Sequence, residues 1–139
     1  MGQVLDGNQM REASCTEELR AMRDALDILG GKWKLMILRY LANRESQEIH
    51  FKKMEREIQG ISAKVLTKEL RDLELNLLVA RQPSEDPIKV FYKITAYGKS
   101  VFPVTESLVS WGLEYRQKVK QELTALAKYQ FIPIEELTF

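Results

Sequence analysis

Apolar residues recur along this chain at three- and four-residue steps, broken at glycines and short polar runs, so most of it predicts helix. Ser14, with Glu17 three residues on, has the spacing of a capping box. From there Leu19, Met22, Leu26 and Leu29 carry one stripe, and Gly30-Gly31 ends it. A second helix runs from Lys32 to about Ala42, with Trp33, Ile37, Leu38 and Leu41 facing inward. After the polar turn 43–47, residues 49–51 predict a short strand leading into a third helix, 51–58. Gly60 breaks the chain. Ser62 then caps a fourth helix, 63–75, which Asn76 is expected to end in the left-handed conformation.

Beyond it the period changes to two. Ile88, Val90, Tyr92 and Ile94 alternate with Lys89, Phe91 and Lys93, so 78–82 and 89–94 predict two strands. The prolines at 83 and 87 assign 83–87 to a hairpin tip outside the ladder. Thr95 is expected to cap a long helix through Val101, Phe102, Leu108, Val109, Leu113 and Tyr115. Pro103 should bend or split that helix, which stays compatible with helix to about Tyr129 and is ended by Pro133. Residues 1–13 are polar and patternless and predict a loose arm. The order of elements describes a mainly α protein with a small β-hairpin. That is a winged helix-turn-helix (residues 14–118) with additional N- and C-terminal helices, followed by a helical extension and tail, 119–139.

The fourth helix has two faces of opposite chemistry. At 100° per residue, Leu66, Leu70, Leu73 and the following Leu77 fall within about 60° of one another, and Lys64, Lys68 and Arg71 occupy a similar arc on the other side. The net charge of +1 hides an uneven distribution, because residues 30–99 hold 14 Lys/Arg against 9 Asp/Glu while both ends are mildly acidic. A basic middle suits a nucleic-acid face carried on termini with another task. Cys15 is the single cysteine, which rules out an intramolecular disulfide. Without a secretory pattern or an apolar run of about 20 residues, the expected location is cytoplasmic, with no membrane partner. His50 is the only histidine, and the chain has neither a phosphate-cradling glycine loop nor a Ser/His/Asp set. Neither an enzyme nor a metal or other cofactor is expected.

Several runs together resemble the HxlR-type branch of the MarR-like winged-helix transcription regulators. They are Asp27-Ile28-Leu29-Gly30-Gly31-Lys32-Trp33, then Phe51, Met54 and Ile58 with Gly60-Ile61-Ser62, then Leu66-Thr67, Leu70 and Leu73-Glu74. Leu78-Val79, Val90, Tyr92, Ile94-Thr95, Gly98, Pro103 and Trp111-Gly112 extend the likeness from about Cys15 to Gly112. Three positions depart from the pattern. Gln59 replaces a proline, Leu77 stands where a glycine usually closes the fourth helix, and Phe91 replaces a polar residue. The resemblance implies a homodimer that binds double-stranded operator DNA and regulates nearby genes.

On this reading Ser62, Ala63, Lys64, Thr67, Lys68 and Arg71 contact DNA from the fourth helix. Lysine or arginine meets guanine edges, and the methyls of Ala63 and Thr67 meet thymine. Lys52, Lys53, Arg81 and Lys89 are candidate contacts from the third helix and the wing, and Lys32 and Lys34 are further backbone candidates. Leu19, Met22, Leu26, Leu108, Trp111 and Tyr115 exceed what a small winged-helix core can bury and are assigned to a two-fold interface. Cys15, at a helix N-terminus, is a candidate redox sensor, so a redox or small-molecule effector joins DNA and self among the expected partners. The reading is a repressor on a palindromic operator; the alternative is a winged-helix protein-interaction module that touches no DNA.

Overall fold

A computed structural model describes residues 2–86 and 89–130, with side chains as far as residue 126. The elements follow one another as β1 (Gln3–Asp6), β2 (Gln9–Glu12), α1 (Cys15–Leu29), α2 (Lys34–Ala42), β3 (Ile49–His50), α3 (Phe51–Glu57), α4 (Ala63–Leu75), β4 (Val79–Pro83), β5 (Val90–Ile94) and α5 (Phe102–Gln130). They belong to two compact units, Met1–Lys99 and Ser100–Phe139.

In the first unit the apolar stripes of α2, α3 and α4 meet over a three-stranded antiparallel sheet ordered β3-β5-β4. Ile37, Leu38, Leu41, Ile49, Met54, Leu66, Leu70 and Leu73 are its fully buried centre. The wing is β4 paired with β5 in the register Val79↔Ile94 through Pro83↔Val90. Pro83 thus belongs to the strand and not to the tip predicted for it. β4 is the sheet's outer strand, where a missing N–H costs no ladder bond. Pro87 and Ile88 lie outside the described residues.

Helix α4 ends at Leu75 as expected, but its left-handed residue comes one position later than the sequence suggests. Asn76 keeps a right-handed backbone (φ −92°, ψ 11°), and the left-handed residue is Leu77, at φ 63°. The Leu77 N–H donates to the Glu74 carbonyl and the Leu78 N–H to the Leu73 carbonyl, both at 3.0 Å, which is the Schellman pattern. The reversal turns Leu77 outward to 70% exposure and buries Leu78 in its place. The inward stripe is therefore Leu66, Leu70, Leu73 and Leu78.

Residues 3–12 are paired where a loose arm was expected. β1 and β2 form a two-residue hairpin, Asp6 facing Gln9, with Gly7 at φ 64° in the first turn position, which favours glycine in such tight turns. Arg11 fastens the hairpin to α1 through two hydrogen bonds to the Glu17 carboxylate, at 2.8 and 2.9 Å. Glu17 also accepts from the Ser14 N–H, and Ser14 Oγ accepts from the Glu17 N–H, so the expected capping box is present.

Thr95 caps a single 3-10 turn, Gly98–Val101, rather than the long helix, by accepting from the Gly98 N–H at 2.9 Å. Pro103 is the second residue of α5, where no N–H is required of it, so the chain is interrupted before the proline and not at it. Pro133 lies outside the described residues.

Candidate nucleic-acid interface

The turn between α3 and α4 is built to present the start of α4. Ile58 and Ile61 are buried on either side of Gly60, which takes φ 86°, a conformation that strains any residue with a Cβ. Ser62 then caps α4, its Oγ accepting from the Val65 N–H at 3.2 Å. With the three leucines locked inward, Ser62, Ala63, Lys64, Thr67, Lys68 and Arg71 are all exposed. Lys64, Lys68 and Arg71 make no ion pair among the described residues. Thr67 spends its hydroxyl proton on the Ala63 carbonyl (2.8 Å), which leaves its methyl as the group it can offer outward.

The other candidate cations divide. Lys52 is 78% exposed and stands at a long 3.8 Å from Glu55. Lys53 is drawn back along α3, donating to Gln47 at 3.0 Å and standing 3.7 Å from Glu57. Arg81 lies opposite Tyr92 in the wing, beside its phenol, whose proton burial holds more tightly than usual. Lys89 is exposed at the root of the wing tip, which the Ser84 hydroxyl closes at 2.7 Å from the Asp86 carbonyl oxygen. Lys52 and Lys89 both line one groove of about 440 Å³, with His50, Phe51, Val90 and Tyr92. Glu85 and Asp86 are exposed at the tip.

Two supporting residues were not found from sequence. His50 caps α3, its Nδ1 accepting from the Lys53 N–H at 3.3 Å, and the signal was an acceptor side chain at the residue before the helix. Lys34, read as a phosphate contact, turns instead to the flank of α4, with Nζ 2.6 Å from Glu69 and 3.5 Å from Asp72. Nothing in its spacing announced that pairing, because the partners lie on a different helix.

The six candidate interface residues are open. On α1, Leu19, Met22 and Leu26 are each 60% exposed, and that helix buries no residue at all. On α5, Leu108, Trp111 and Tyr115 are exposed, with the Trp111 and Tyr115 rings stacked 5.3 Å apart. Cys15 is exposed in the first turn of α1.

An outward cation face on the second helix of a helix-turn-helix, beside a wing, is DNA-reading architecture. The HxlR-like helix-turn-helix family model matches residues 28–120. This chain belongs to that family. An HTH-type transcriptional regulator of Halalkalibacterium halodurans is 39% identical over 90 residues, 64% of this chain and 78% of that protein. The HTH-type transcriptional regulator YkvN of Bacillus subtilis is 31% identical over 93% of this chain and all of its own length. Among solved structures, the redox regulator HypR in its oxidized form superposes with a TM-score of 0.62 at 28% identity, covering 68% of this chain and 95% of that one. The HxlR-like chain is thus a DNA-binding transcriptional regulator and not an enzyme. No described helix is long and apolar enough to cross a membrane.

Proposed function

We propose that this HxlR-like protein is a homodimeric repressor that reads a near-palindromic operator through α4. The observation that carries the reading is the exposed face of Lys64, Lys68 and Arg71, without an ion pair among the described residues, on a helix anchored by Leu66, Leu70 and Leu73. Lys64, Lys68 and Ala63 enter the major groove, where each good base contact contributes about 1–3 kcal/mol of discrimination. Ser62 and the first N–H groups of α4 meet a phosphate, and Arg71 follows the backbone. The groove beneath Lys52 and Lys89 takes a sugar-phosphate segment, its cations on the phosphate and its apolar floor against the sugar. Lys53 and Arg81 add charge nearby.

Two copies join through Leu19, Met22 and Leu26 of α1 and through Leu108, Trp111 and Tyr115 of α5. Their two recognition helices then meet successive major grooves about 34 Å apart. A repressor in this position excludes polymerase from the promoter. Selection from random duplexes, followed by sequencing, tests the whole reading. The expected result is a two-fold symmetric motif; an asymmetric motif removes the dimer, and no enrichment removes DNA reading.

A second element concerns control. Cys15 is exposed beside the α1 cap, and the chain is similar to a protein described as a redox regulator. We infer that oxidants or electrophiles act on the Cys15 thiol and change operator affinity. Wild type should lose affinity after peroxide treatment while Cys15→Ser keeps it; an equal response of the two removes Cys15 from control.

A further inference from the structure

Helix α4 carries three cations, Lys64, Lys68 and Arg71, but also three carboxylates, Glu69, Asp72 and Glu74, so it has no net charge to offer a duplex. Asp72 stands four residues after Lys68, the spacing at which a lysine and a carboxylate on one helix meet. Left alone, Asp72 would draw the Lys68 ammonium down onto the helix. In the structure Asp72 faces another cation instead. Lys34, the first residue of α2, reaches across to Glu69 at 2.6 Å and to Asp72 at 3.5 Å, and Lys68 makes no ion pair among the described residues. Lys34 and Glu69 are largely covered, at 14% and 12% exposure, so their attraction is less screened than a surface pair's. The Glu69 carboxylate, followed by Asp72, holds the Lys34 ammonium in its charged form.

We infer that Lys34 is a positioning residue for DNA recognition: it takes Asp72 and Glu69 out of play so that Lys68 stays free for a base. It touches no DNA itself. The inference rests on α4 being the reading helix, as proposed above. It adds that the specificity of α4 is set partly from α2, by a lysine that faces away from the duplex. The same ammonium offsets one of the two negative charges, which would otherwise stand within a Debye length of the phosphates and repel them.

The test is a set of variants titrated against the selected operator and a scrambled duplex. Because removing Lys34 leaves the largely covered Glu69 without its cation, every variant is made in Glu69→Gln, a neutral isostere that spares the fold that penalty. In that background Lys34→Met should weaken operator binding roughly twofold, with most of the loss on operator rather than scrambled DNA. Adding Asp72→Asn should restore it, because Lys68 then has no carboxylate to fall upon, and Lys34→Arg should bind like the background. Two outcomes overturn the inference. Equal operator affinity with and without Lys34 means that Lys68 was never at risk. A loss that Asp72→Asn does not recover, with the slope of log affinity against log salt shallower by about 1, means that Lys34 contacts a phosphate directly. If the unsubstituted protein selects no operator, it is the reading of α4 that fails, and that result precedes these titrations.

Discussion

Leu77 holds a left-handed backbone, φ 63°, that only glycine adopts without strain, and its side chain is 70% exposed, so nothing in packing compensates. Leu77→Gly should therefore raise stability by about 1 kcal/mol, seen as a higher midpoint in urea with an unchanged slope. A lower midpoint would mean that the leucine side chain is used in a contact. Glu17 offers a residue-scale test by titration. Hydrogen bonds from Arg11 and then from the Ser14 N–H hold its carboxyl down to about 2, against an ordinary 4.5. A carboxyl whose pKa falls on folding adds stability that is complete above its unfolded pKa. That stability is lost as the pH drops through the folded one. The clamp between hairpin and α1 should accordingly hold at pH 5 and loosen between about pH 4.5 and 2. A carboxyl carbon-13 titration of Glu17 should have its midpoint near 2, and Arg11→Ala should move it back toward 4.5. A midpoint that Arg11→Ala leaves in place would assign the shift to the cap alone.

Among the elements, α4 gives the sharpest contrast between its faces. Leu70 is 2% exposed, so Leu70→Asp buries an unpaired charge and should abolish the cooperative melt, while Leu70→Ala should cost about 2–5 kcal/mol. Lys64→Ala and Lys68→Ala, on the exposed face, should leave the melt unchanged and remove the preference for operator over scrambled DNA in a gel-shift titration. Unchanged preference would take α4 out of the reading role. These faces were legible in the sequence because a helical period needs only one strand of information: α1, α4 and β5 appear with nearly the bounds that spacing assigns them. What depended on a neighbour was not legible. The hairpin of β1 and β2 has two adjacent apolar residues, Val4 and Leu5, on one strand and only Met10 on the other, so no alternation marked it; Gly7-Asn8 between short segments was a turn signal, and its anchor Glu17 lies outside it. Pro83 was excluded from the wing by a rule for inner strands, yet sheet order makes its strand an edge. Lys34 looked like any surface cation until α4 supplied its partners. The outward cations of α4 were read correctly because leucines on the same helix fixed their direction.

At the scale of the whole molecule, the question is why α1 exists, since it buries none of its residues within the chain. A 15-residue helix in water is marginal by itself, even with a capping box, and most helical stability in proteins comes from packing an apolar face. Leu19, Met22 and Leu26, each 60% exposed, therefore call for a cover, and in the dimer proposed above a second copy presenting the same three residues would supply one by two-fold symmetry. On that proposal operator affinity would depend on the cover too. Once one α4 is seated, the partner's α4 meets its own half-site at a high effective concentration, so two weak contacts act as one strong contact. Leu26→Glu should separate the copies, halving the mass seen by sedimentation at micromolar concentration. Affinity for the full operator should fall toward that for an isolated half-site, while the first unit keeps its core and α4 its cation face. A variant that still sediments as a dimer would shift the interface to Leu108, Trp111 and Tyr115 of α5, where Trp111→Glu makes the corresponding test. If both variants dimerise and bind as wild type does, the two-fold arrangement must be built from other residues.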